Sequence, residues 1–173
     1  MPIHCGDNRR CAPRRCGIGV TLALAYLLAA SLPATAQDQG GATRDVIYAR
    51  KTLMDFMCDR MTEIEVMVGR GTIDLKLVRQ YADAMSAMFM AFPHLFPAGS
   101  NLWKHNPDAD PLAETLASPD VWTGFADFYR QAADSAVLAR ELARVSTADD
   151  ARDRARELRI ACDACHALYL EDP

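Results

Sequence analysis

The chain has 173 residues, with 19 Lys or Arg against 23 Asp or Glu and six cysteines. That length fits one ordinary domain. The formal charge of −4 excludes the basic surface that a nucleic-acid backbone requires.

Residues 1–36 read as an export signal. Arg9, Arg10, Arg14 and Arg15 form a positive leader, Gly17 to Leu32 an apolar run, and Ala34-Thr35-Ala36 a small-residue cleavage site. The run is short for a membrane-spanning helix, which needs about 20 residues. Cleavage leaves residues 37–173. Removing the four arginines and Asp7 leaves 15 basic and 22 acidic residues, a net charge near −7. The mature protein is therefore expected in the periplasm, off the membrane, with a preference for basic partners. Cleavage also removes Cys5, Cys11 and Cys16, leaving Cys58, Cys162 and Cys165. An odd number in an exported chain is not a disulfide framework. Cys58 reads as a small buried or half-buried apolar residue.

Residues 37–42 are a polar, loose leader. From Thr43 to Val68 the apolar residues Val46, Leu53, Met57, Ile64 and Met67, flanked by Ile47, Met54 and Met61, recur at helical spacing. Gly69 and Gly71 end that helix. A second stripe, Val78, Tyr81, Met85, Met88, Phe89 and Phe92, predicts a helix over 73–92 that Pro93 stops. Residues 93–117 carry four prolines with Asn and Asp and read as a long connection, with a short helical turn at Leu112 to Leu116. His94 and His105 fall in it and are expected in solvent. Ser118 is a good N-cap and Pro119 a good first helical residue. Trp122, Phe125, Tyr129, Ala132 and Ala136 then carry a third stripe to about Val145, with the aromatic residues as core and pocket wall. Thr147 caps a fourth helix, whose start Asp149, Asp150 and Asp153 favour. Its stripe is Ala151, Ala155, Leu158, Cys162, Cys165 and Tyr169. Four stripes with one long connection predict an all-α, antiparallel four-helix bundle.

Cys162-Asp163-Ala164-Cys165-His166 lies on that last stripe. Cys-X-X-Cys-His is the attachment signature of c-type haem. Residues three and four apart share a helix face, so two thiols are placed to form thioethers and an imidazole to reach the iron from the same side. The predicted cofactor is one covalent haem c, entering the bundle between the helices, bonded through Cys162 and Cys165 and ligated by His166. A thiol–disulfide enzyme fits poorly, because its Cys-X-X-Cys begins a helix. A structural zinc site lacks an apparent fourth ligand. No acid/base pair, phosphate loop or triad stands out, so the reading is an electron-transfer protein and not an enzyme. Met54 and Met57 share a face of the first helix and are the candidates for a sixth ligand. A thioether there raises the reduction potential and suits electron transfer.

The chain resembles the cytochrome c' family, the class II c-type cytochromes, and its low-spin, methionine-ligated branch. Arg50 within Tyr48-Ala49-Arg50-Lys51-Thr52-Leu53-Met54, the segment Phe96-Pro97-Ala98-Gly99-Ser100, Trp122 with Phe125 and Phe128, and the haem motif near the C-terminus carry the likeness. The resemblance implies that Arg50 neutralises a haem propionate. It also implies that Met54, ahead of Met57, faces the iron opposite His166. Family members usually carry Arg or Lys four residues after the histidine, where this chain has Leu170. That departure favours a periplasmic carrier of single electrons over the alternative, a five-coordinate binder of nitric oxide or carbon monoxide. The implied partners are redox proteins and, through the first two helices, a second copy of the chain.

Overall fold

The computed structural model describes residues 39–102 and 114–171. The expected export signal 1–36, His105 and Leu112 lie outside the described residues. Four long helices carry the fold: α1 (Gln39–Val68), α2 (Leu75–Ala91), α4 (Phe125–Leu142) and α5 (Ala148–Tyr169). A single turn, α3 (Asp120–Thr123), precedes α4. Two 3-10 turns, Phe92–Leu95 and Ala98–Ser100, follow α2. Among the described residues the only extended pairing is an isolated antiparallel bridge between Ala117 and Leu170. The all-α bundle expected from the stripes is the fold observed.

Local chemistry sets the helix ends. The Asp74 carboxylate accepts from Leu77 N–H and starts α2, and the Thr147 hydroxyl accepts from Asp150 N–H and starts α5. Such caps satisfy amide groups that have no partner inside the helix. Pro93 turns the end of α2 into 3-10 geometry. Ser118 does cap the next turn, accepting from Asp120 N–H at 3.1 Å. The predicted third helix is broken, however, at Gly124, whose N–H donates to Asp120 O at 2.8 Å. A side chain at Gly124 would meet that same carbonyl, with Cβ at 3.1 Å.

The helices form a ring in the order α1, α2, α4, α5, each antiparallel to its neighbours. Arg79 reaches Val145 O between α2 and α4, and Arg152 reaches Val68 O between α5 and α1. Ala82, Ala132, Ala136, Ala139, Ala151 and Ala155 are buried on α2, α4 and α5. Small residues let helices approach closely, and α4 packs more closely on α2 and α5 than α1 does. The inner face of α1 instead carries Ile47, Met57, Met61 and Ile64. Burying each such side chain contributes about 1.5–3 kcal/mol. Beside them, Phe92, Phe96, Phe128 and Tyr169 stack edge to face, with ring centres 4.9–5.2 Å apart between successive pairs.

The expected stripes are corrected in four places. Ile47, not Val46, is the buried residue at the start of α1, and the helix begins at Gln39, inside the stretch expected to be loose. Phe125 and Tyr129 are exposed, while Phe128 is the aromatic residue that α4 buries, on the face it shares with Ala132 and Ala136. Residues 114–116 are not helical; they lead into the bridge with Leu170. Cys58 is exposed rather than buried.

The end of α5 is tied to α4 by the Tyr169 hydroxyl, which donates to Asp127 Oδ2 at 2.7 Å. With Gln131 and Arg130 it holds that carboxyl down at about 2. A depressed carboxyl stabilises the fold above its ordinary value of 3.8 and loses that contribution as pH falls towards about 2. Urea midpoints of Asp127→Asn should therefore fall less steeply with acid across that window than those of the parent. Parallel curves would show that Asp127 gains nothing from its partners. Thr147→Ala should cost about 1 kcal/mol in the same titration at neutral pH.

Candidate functional site

The looser packing of α1 leaves an apolar slot between it, α4 and α5. Its larger lobe has a volume of about 320 Å³ and its smaller about 40 Å³, and Met54, Cys58, Cys165 and His166 line both. Arg50, Met54 and Cys58 recur every four residues, so one face of α1 presents a cation, a thioether and a thiol in succession. From the facing helix α5 come Cys162, Cys165 and His166, all half-buried. The motif thus lies on the slot, as the stripe on α5 required.

Arg50 is the most informative residue of the site. Only 3% of it is exposed. Its Nη1 donates to Ser100 Oγ at 2.8 Å, and its Nη2 to Ser100 O at 3.0 Å and Thr115 Oγ1 at 2.9 Å. The guanidinium also lies over the rings of Phe96 and Trp122, 4.7 and 5.3 Å from their centres. Every one of these partners is neutral. Among the described residues no carboxylate pairs with Arg50, and its Nε is buried without a partner. Burial lowers its pKa to about 10, so it remains a cation at neutral pH. A buried charge without a counter-ion is costly. The slot it lines is therefore suited to a group that brings an anion. An apolar ring system carrying carboxylates, which is what haem is, meets both the apolar walls and this unpaired cation.

Met54 is half-buried with its side chain in both lobes, whereas Met57 is 2% exposed and belongs to the core beside the smaller lobe. Both methionines line the smaller lobe with His166, and of the two only Met54 also lines the larger. Burial pushes the free thiols of Cys162 and Cys165 up to about 11. Thiols so protonated are poor nucleophiles at neutral pH, the opposite of a dithiol redox enzyme. Next to Cys162, Arg159 forms a two-pronged pair with Glu65, 2.6 and 2.7 Å, and clamps α5 to α1.

Three polar partners were not singled out from the sequence. Ser100 was visible only within the segment after the second helix, and its burial is a product of the 3-10 turn there. Thr115 has no sequence signal, because it reaches Arg50 from 65 residues away. Asp127 had no sequence signal, because its partner Tyr169 lies 42 residues away. His94 is exposed, as expected, with its ring against Tyr129.

The family model for cytochrome c' matches residues 45–169. Cytochrome c' of Pararhodospirillum photometricum is 27% identical over 126 residues, covering 70% of this chain and 93% of its own. Among solved structures, cytochrome c' of Thermochromatium tepidum superposes with a TM-score of 0.65 at 22% identity, covering 75% of this chain and 97% of its own. A cytochrome c' described as having an unusual ligand-controlled dimer dissociation gives 0.63 at 20% identity, over 75% and 97%. The match to the family model spans all four helices of the bundle from Asp45 to Tyr169, so the chain belongs to the cytochrome c' family, whose bundle carries one covalently attached haem c.

Proposed function

We propose that the mature protein, 37–173, is exported and carries single electrons in the periplasm through its haem. Cys162 and Cys165 would hold the group by thioethers, His166 would ligate the iron from α5, and Met54 would ligate it from α1. When bound, haem supplies an iron that alternates between two oxidation states. The chain's own residues do the rest. Arg50, fixed by Ser100 and Thr115, neutralises a propionate. Phe92, Phe96 and Phe128 exclude water from the slot. The Arg159–Glu65 clamp keeps the two ligand-bearing helices in register. None of these groups is placed to move a proton to a substrate, which supports a carrier rather than an enzyme. Among the described residues no helix is long and apolar enough to cross a membrane.

The observation that carries the reading is the position of Met54 in the slot with His166. A thioether there closes the sixth site and favours electron transfer over ligand capture. One observation favours the gas-binding alternative: the smaller lobe, about 40 Å³, is walled by apolar groups such as Met57, Met61, Met85 and Phe89 and has room for a diatomic molecule. Under that reading Met54 gates the iron without bonding it. Likeness to the cytochrome c' with ligand-controlled dimer dissociation makes a homodimer the assembly to test for, by light scattering across concentrations.

Met54→Ala separates the two readings. The parent ferrous protein should exclude carbon monoxide, and the variant should be high-spin until it binds carbon monoxide. If the variant keeps the parent spectrum and still excludes carbon monoxide, Met54 is not the ligand. Met57→Ala should leave the spectrum unchanged while lowering stability by about 2–5 kcal/mol, the cost of truncating a buried methionine.

A further inference from the structure

We propose that the rim of the slot between α1 and α5 is the docking surface for a cationic redox partner. The inference rests on the electron-carrier reading and adds to it where the electron leaves and to what kind of protein. The slot opens to solvent along one side of the Arg50–Met54–Cys58 stripe. Asp55 lines the larger lobe there, and Asp59 stands one turn further along α1. On α5, Asp163 is exposed one turn before His166 and Ala167. At the end of the mouth, Leu116 and Leu170 are 41% and 45% exposed. They are held together by the Ala117–Leu170 bridge and by Glu171 N–H donating to Leu116 O at 2.8 Å. Glu114 and Glu171 flank this leucine pair.

The charges around the opening do not cancel. Among the described residues, Asp55 in the lining and Asp59, Asp163, Glu114 and Glu171 beside it make five carboxylates against three cations, Arg50, Lys51 and Arg159, of which Arg50 is buried. Arg159 is already spent on Glu65, with Asp163 a further 3.8 Å from it. The rim is therefore an apolar patch set in surplus negative charge, beside the groups that would hold the haem. An apolar centre with a charged surround is the usual anatomy of a specific surface, and its sign selects a partner rich in Lys and Arg. In the step itself one electron passes from ferrous iron to the oxidised partner, and no proton is moved.

The test uses the haem-loaded full protein and two small one-electron oxidants of opposite charge, a tris(phenanthroline) cobalt(III) cation and a hexacyanoferrate(III) anion. With the cation, the second-order rate of oxidation should fall as salt is added; with the anion it should rise. Replacing Asp55, Asp59 and Asp163 together by Asn should slow the cationic reaction about tenfold at low ionic strength, the low end of electrostatic steering. Replacing Asp83, Asp149 and Asp153, exposed acids that line neither lobe, should leave it within a factor of about two. Leu170→Lys should slow the cation and speed the anion while preserving the visible spectrum. Equal losses in the two triple variants would mean that net charge alone steers the reaction, and no loss in the rim variant would mean that the electron leaves elsewhere; either overturns the proposal. Carbon monoxide binding by the parent ferrous protein would instead mark failure of the carrier reading, and the two triple variants would still report on the rim.

Discussion

The structure turns on one buried cation. Arg50 sits on the inner side of α1 with neutral hydrogen-bond partners only and one nitrogen left unpaired. Charged groups are rarely buried without a partner. Its partners explain the shape of the chain around it. The Phe96–Ser100 segment folds back from α2 so that Ser100 offers both its hydroxyl and its carbonyl, and Thr115 arrives from the far end of the long connection. The same residues bring Phe96 and Trp122 over the guanidinium. That much organisation around an uncompensated charge is accounted for by a bound group that brings its own anion.

The rest of the bundle follows from how residue size is distributed. Alanines on α2, α4 and α5 allow a compact three-helix wall, while the methionines of α1 hold the first helix away from it. Methionine is unbranched and adaptable. It lines an irregular slot without the rigid fit that branched side chains impose, and under the proposed function it would supply a soft sulfur to iron. Packing and chemistry are thus served by the same residue type on one helix. This is why a methionine there is ambiguous until its facing is known.

The fold class, the order of the helices and the haem motif were legible in the sequence because each depends on local periodicity, capping and spacing. Thr147 illustrates this, since a cap needs only its own next turn. What was not legible depends on phase or on distance along the chain. The third stripe was read as continuous across Gly124, and at the start of α4 beyond it Phe128 is buried while Phe125 and Tyr129 are exposed. Cys58 looked like a core residue by type, yet it borders the mouth of the slot. Met54 and Met57 were equivalent by spacing; only the packing of α1 against α5 tells them apart. The partners of Arg50 are 50 and 65 residues from it, beyond the reach of any local pattern.

Under the proposed function, α1 closes the iron site that α5 opens. The most direct measurement is the visible absorption spectrum of the exported, haem-loaded protein, oxidised and then reduced with dithionite, with and without carbon monoxide. A sharp, split pair of bands on reduction, unmoved by carbon monoxide, is the predicted result and marks six-coordinate, low-spin iron. A broad high-spin spectrum that shifts when carbon monoxide is added would contradict the claim and leave the iron open on the side of α1.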